Sequence, residues 1–279
     1  MAYPTSEEKN SSASKAPVTR QGAANTKGTR KPSICLPQGR WLVAGVFVVL
    51  AMWWKCTIPR GIPGSGLGPP PREKLSRPTL DESIVRLKAV RADASAVQAL
   101  PYLRAAYAIL TTVDALPGLD IVRSDILGNC DKIWRHIKNE DATLQQMCDA
   151  EIEARQGDVK KAGHTDGTAC NAMLWLQRAL RLVNGIYKEL VRDTKLPLAK
   201  CTYNAYGVSL KRHHNFVMKS IFGAAVNLGP SRENFFRMLA PKSTEAEALK
   251  MMAKVTPAFG KLLDAVEEYL VARKIESRG

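Results

Sequence analysis

From Thr79 onward, large apolar residues recur at helical spacing almost everywhere, punctuated by proline and glycine, with no sustained alternation of the kind strands need. The pattern predicts an all-α domain. A first helix is expected to take Thr79 or Asp81 as its cap and to run through Ile84, Leu87 and Val90. A second carries Leu100, Leu103, Tyr107 and Leu110 and ends near Pro117 and Gly118; a third carries Ile126, Cys130, Ile133 and Ile137. Further helices are predicted over Met147 to Gln156, Ala172 to Tyr187 and Tyr203 to Phe222, and around Phe235 and Leu249. The last is expected to be capped by Thr256, with Pro257 at its first helical position, and to carry Leu262, Leu263, Val266 and Leu270. No internal repeat is visible, which argues against a solenoid.

Upstream of this domain the pattern changes three times. Residues 1 to 40 are rich in Ser, Thr, Ala, Lys and Gly, with almost no large apolar side chain before Ile34, and read as a disordered basic tail. Residues 41 to 58 open with WLVAGVFVVLAMWW, 14 residues without a charge. As a helix they would span about 21 Å against a hydrocarbon core of about 30 Å, short for a transmembrane span. Trp41, Trp53 and Trp54 suit the membrane interface and Arg40 and Lys55 can snorkel, so a single-pass membrane anchor is the expectation. A signal-peptide core and an interfacial or targeting segment are the alternatives. Basic residues flank the run on both sides, so its orientation is not legible. Cys35 and Cys56 border it and are expected as unmodified thiols rather than palmitoylated ones. Residues 59 to 78 (PRGIPGSGLGPPPREKLSRP) form a Pro/Gly-rich linker, extended and semi-rigid, and residues 79 to 279 form the helical domain.

Composition narrows the partners. At 279 residues and 45% hydrophobic content the chain can bury a core, which excludes wholesale disorder. Its net charge of +15 is lopsided: residues 1 to 79 hold 12 of the 41 basic and 3 of the 26 acidic side chains. The domain therefore has a mixed surface, which argues against a nucleic-acid partner and leaves a membrane-facing basic patch open. The six cysteines contain no Cys-x-x-Cys pair and none of the four histidines stands at zinc-ligand spacing from them, so neither metal nor cofactor is expected. Six scattered cysteines also predict a reduced, cytosol-facing domain.

Three segments carry candidate chemistry. In SDILGNCDKI, Asp125, Asn129 and Lys132 fall at i, i+4 and i+7, within about a 60° arc of one helix. Together they offer an acceptor, an amide and a charged donor, which suits a polar headgroup; a solvated face with an Asp to Lys pair is the plainer reading. Trp175 lies on a helix whose apolar side is already supplied by Met173, Leu176, Leu180 and Val183. It either completes the core or offers a flat platform to a sugar. His213 and His214 are adjacent, about 100° apart if helical, which disfavours a shared metal. His214 would share a side with Leu210, Val217 and Met218 and point inward as a core histidine or a neutral donor. No nucleophile elbow, phosphate loop, Rossmann fingerprint or zinc-protease motif occurs, so no enzyme is predicted.

Taken together, the Asp-x-x-x-Asn-x-x-Lys strip at 125 to 132, the Trp-Leu-x-Arg-x-Leu-Arg run at 175 to 181 and the Ala-Tyr-x-x-x-Leu-Lys-x-x-His segment at 205 to 214 resemble the glycolipid transfer protein family. The resemblance runs over about residues 80 to 273 and includes IFGAAVNLGPSRENFF at 221 to 236; the tail, apolar segment and linker lie outside it. It implies an all-α, two-layer sandwich of about eight helices enclosing a lipid chamber. It also implies that Asp125, Asn129 and Lys132 bind the headgroup, that Trp175 stacks on the first sugar, and that His214 with Asp125 holds the ceramide amide. The family's ceramide-1-phosphate branch resembles this layout but has arginines where this chain has Asn171 and Trp175. That difference favours a neutral glycosylceramide, with Arg178 and Arg181 as possible phosphate contacts. The chain departs from glycolipid-selective members in its last residues, IESRG, which include no aromatic.

The implied function is non-enzymatic sphingolipid binding and transfer between membranes, glycosylceramide favoured. The alternatives are ceramide-1-phosphate transfer by the same fold, or a membrane-tethered sensor that binds without transferring. The implied partners are the lipid and a membrane surface, where Trp134 is a candidate contact with core packing as its other reading; no protein partner is legible.

Overall fold

Helical spacing becomes helix throughout the residues that the computed structural model describes, 80–90 and 96–277, all of which belong to one of the two units of the chain, Arg60–Gly279. The expectations for residues 1 to 40, 41 to 58 and 59 to 78, and for Thr79, lie outside them. Among the described residues are ten α-helices: α1 (Leu80–Lys88), α2 (Ala99–Asp114), α3 (Asp120–His136), α4 (Leu144–Ala154), α5 (Val159–His164), α6 (Ala169–Arg192), α7 (Leu198–Val208), α8 (Phe216–Asn227), α9 (Arg232–Leu239) and α10 (Glu245–Ala272). A short 3-10 turn, Lys211–His213, separates α7 from α8. The described residues contain no strand, only an isolated bridge between Gln98 and Thr143. No described helix is long and apolar enough to cross a membrane.

The helices form the two-layer sandwich that the family resemblance implies, with α6 at its centre. Along its 24 residues α6 packs against α3, α7 and α10, and also meets α2, α4 and α5; α1 bridges α2 and α10. The approach of α6 to α7 depends on Gly185, where a Cβ would come within 2.9 Å of the Ala205 Cβ. Side chains fill the interior, with Tyr102, Leu103, Ile109, Ile126, Ile133, Tyr187 and Phe259 among the fully buried.

Short polar residues set the helix starts. Thr143 and Gln146 form a capping box on α4, and Thr244 with Glu247 form another on α10; Asp158, Thr168, Asn215 and Ser231 each accept an N–H of the first turn. Arg232 closes the other end of α6, donating to the carbonyls of Leu190, Asp193 and Leu196 while pairing with Glu245 at 2.6 Å.

Expectations for three regions are corrected. Pro257 lies inside α10, and the helix is capped by Thr244 rather than Thr256. The Thr256 hydroxyl, next to the proline, donates to the Met252 carbonyl at 2.7 Å. The expected helix over Tyr203 to Phe222 is broken between Ser209 and Asn215, where His214 is extended and the Asn215 side chain restarts the helix as α8. The short α5 was not legible. The domain also holds a disulfide, Cys148 to Cys170, whereas Cys130 and Cys201 are free and buried. The bond joins α4 to the first turn of α6, two segments whose proximity depends on the fold.

Candidate functional site

Three elements supply the side chains singled out from sequence. On α3, Asp125, Asn129 and Lys132 share one strip, and Asn129 donates its amide to Asp125 Oδ1 at 3.1 Å. Asn129 is buried and Asp125 half-buried. Burial pushes the Asp125 carboxyl up to about 6, against the opposing pull of Lys132 and of the Asn129 hydrogen bond. Lys132 pairs with Asp166 in the loop before α6 at 2.5 Å. The strip is thus not a freely solvated face.

On α6, Trp175 is half-buried and packs against the core cluster without being enclosed by it. The guanidinium carbon of Arg178 lies 4.8 Å from its ring centroid, and the His213 ring meets it edge-on at 6.4 Å. Asn171, one turn earlier, donates to the Gly163 carbonyl at 3.0 Å. Arg178 is buried and bonded to Glu276, while Arg181 turns to α10 and pairs with Asp264 and Glu267. Of the two arginines considered for phosphate, Arg178 therefore adjoins Trp175, and Arg181 is committed to α10.

The break after α7 supplies the histidines. His214 is oriented through space: its Nδ1 lies 2.9 Å from the Tyr206 hydroxyl, and Tyr206 is itself stacked on Phe222 at 3.9 Å. Burial, with Lys219 and Arg178, holds His214 below the usual imidazole range. His213 is pushed down to about 4 by burial first and then by Arg178, with Glu276 opposing, and its Nε2 accepts from Arg212 at 3.0 Å. Both rings are therefore neutral at pH 7.

Of the two readings of Trp134, core packing is the one the structure shows. The residue is only 6% exposed and belongs to the core cluster, so it does not present its ring to a membrane. Different apolar side chains are open: Val208 is 84% and Phe216 82% exposed, Val217 is exposed as well, and exposed Lys211, Arg212 and Lys219 are close to them in the chain. Sequence reading missed them because an uninterrupted helix would have turned Val217 inward with His214.

The model of the family described as Glycolipid transfer protein (GLTP) matches residues 97–241. The chain is 29% identical over 174 residues to pleckstrin homology domain-containing family A member 8 of Mus musculus, covering 61% of this chain and 32% of that protein. It spans about a third of the length of such relatives. It is 30% identical over 169 residues to the glycolipid transfer protein of Danio rerio, covering 57% of this chain and 78% of that one. The fold is similar to that of human ceramide-1-phosphate transfer protein in complex with 12:0 ceramide-1-phosphate, with TM-score 0.64 and 17% identity, over 72% of this chain and 100% of that one.

Proposed function

Because the chain belongs to the glycolipid transfer protein family, we propose that it binds a sphingolipid and moves it between membranes, with a neutral glycosylceramide as its favoured cargo. The observation that carries this reading is the half-buried carboxylate Asp125, hydrogen-bonded to Asn129 and within the field of Lys132, on a helix packed against the one that presents Trp175. A carboxyl whose pKa is raised by burial is a costly feature in a fold, and such groups concentrate at functional sites.

In this reading Asp125, Asn129 and Lys132 hydrogen-bond the headgroup, and the half-buried Trp175 ring supports the first sugar. The Tyr206 hydroxyl lies 2.9 Å from His214 Nδ1; in the tautomer where it donates there, the His214 Nε2–H is left to donate to the ceramide carbonyl, while Asp125 accepts the amide N–H. Burial raises the pKa of Tyr206, so its phenol keeps the proton this tautomer requires. No covalent bond changes: the helix layers part around the lipid chains, and apolar side chains replace bilayer contacts worth about 0.8 kcal/mol per CH₂. Val208, Phe216 and Val217 enter the headgroup region of the membrane while Lys211, Arg212 and Lys219 meet anionic lipids.

Transfer of fluorescent glucosylceramide between vesicles by the full chain tests the reading, with Asp125→Val and Trp175→Ala alongside. Loss of transfer in both variants is the expected result. Transfer unaffected by either substitution would remove these residues from the headgroup site. Lipid binding without transfer would make the protein a sensor.

A further inference from the structure

The Trp175 platform has a built-in anion. Arg178 Nε and Nη2 each lie 2.8 Å from Glu276 Oε2, and both partners are buried although they stand 98 positions apart. A hook after α10 delivers Glu276. Lys274 takes a left-handed φ of +58°, and the Leu270 carbonyl accepts the N–H groups of both Ile275 and Glu276. Ile275 is buried beside Gly163 of α5, where a Cβ would fall 2.7 Å from Ile275 Cγ2. The carbonyl of that same glycine receives the Asn171 amide. The hook is therefore tied to the elements that hold Asn171, Trp175 and Arg178.

The pair stands beside Trp175, with the Arg178 guanidinium carbon 4.8 Å from the ring centroid and engaged by Glu276. A buried ion pair contributes little net stability, whereas breaking one side of it leaves an uncompensated charge, so the carboxylate holds the arginine firmly. A neutral sugar can settle beside a satisfied pair. A phosphomonoester brings up to about two negative charges and would have to draw Arg178 away from Glu276 to gain its guanidinium.

We propose that Glu276 is a specificity-determining residue: by engaging Arg178 internally, it withholds that guanidinium from a phosphate-bearing headgroup. The inference rests on the sphingolipid reading above and assigns the headgroup class of the same site.

The full chain and Glu276→Gln are compared in vesicle transfer of fluorescent glucosylceramide and ceramide-1-phosphate, with melting curves recorded for each. The ratio of ceramide-1-phosphate to glucosylceramide transfer is expected to rise about tenfold or more in Glu276→Gln, as a freed charge-assisted hydrogen bond would give. The double variant Glu276→Gln/Arg178→Gln is expected to lose that gain. If Glu276→Gln does not fold, Ile275→Ala, which loosens the hook and keeps the carboxylate, is expected to raise the same ratio. A ratio that stays at the wild-type value in the folded variant, while the wild-type chain moves glucosylceramide, overturns the inference alone. A wild-type chain that moves neither lipid overturns the sphingolipid reading and this inference with it.

Discussion

Glu151 accepts the backbone N–H of Cys170 at 2.9 Å, and that of Ala169 at 2.8 Å, one turn beyond Cys148, whose sulfur is bonded to Cys170. A carboxylate and a covalent bond from α4 thus hold the first turn of α6, the helix that carries Asn171, Trp175 and Arg178. The carboxylate also suits the positive end of that helix. Glu151→Gln keeps one acceptor and removes the charge, and it is expected to lower stability by about 1–2 kcal/mol in denaturant melts. An unchanged midpoint would mean that the disulfide holds the turn alone.

The disulfide closes a loop of 22 residues, and chain entropy puts its contribution at about 3 kcal/mol. The full chain should therefore lose about that much stability in dithiothreitol, and a Cys148→Ser/Cys170→Ser variant should melt at the reduced position and ignore the reductant. Equal midpoints with and without reductant would show that the bond contributes nothing under those conditions.

What could be read beforehand follows from the range of each interaction. The apolar periods of α2, α3 and α6 repeat over many turns, so these helices and the Asp125, Asn129, Lys132 strip were legible from local spacing. The break at Ser209 to Asn215 was not, because Leu210, Val217 and Met218 happen to keep helical spacing across it. Pro257 misled for a related reason: proline suits a first helical turn, yet here α10 runs through it. The Cys148 to Cys170 bond, the Lys132 to Asp166 pair and the Glu276 to Arg178 pair join segments that only the tertiary fold brings together. Trp134 was ambiguous by nature, since an indole serves a core or a membrane interface equally well.

Asp125 sets binding against stability. Its carboxyl ordinarily titrates at 3.8 and is pushed up to about 6 in the fold, so the folded state holds this proton more tightly than the unfolded chain does. The linkage sign follows: this group's contribution to stability falls as pH rises from about 4 to about 6, and the full cost persists above that. Asp125→Asn is therefore expected to raise the melting temperature at about pH 7.5 and to change it little at about pH 4, while abolishing lipid transfer. A variant equally stabilised at both pH values would mean that the gain is not electrostatic. Wild-type transfer should also decline as pH falls through about 6, where the carboxylate takes up its proton.

The exposed phenylalanine at the start of α8 permits a test of membrane docking that the fold should not disturb. Phe216 is 82% exposed, so removing its ring costs the folded protein few contacts, whereas inserting it into a bilayer surface would contribute about 1.5–3 kcal/mol. Phe216→Asp is therefore expected to weaken association with anionic vesicles by at least about tenfold, with an unchanged melting temperature and slower transfer. Lys211→Glu and Lys219→Glu should weaken binding to anionic vesicles and leave binding to neutral ones unchanged, because they remove attraction to lipid charge rather than buried area. Sedimentation with vesicles of both compositions separates the two contributions. If Phe216→Asp sediments like the wild type, a different face must carry the protein to the membrane, and the headgroup side chains would then have to reach their lipid from there.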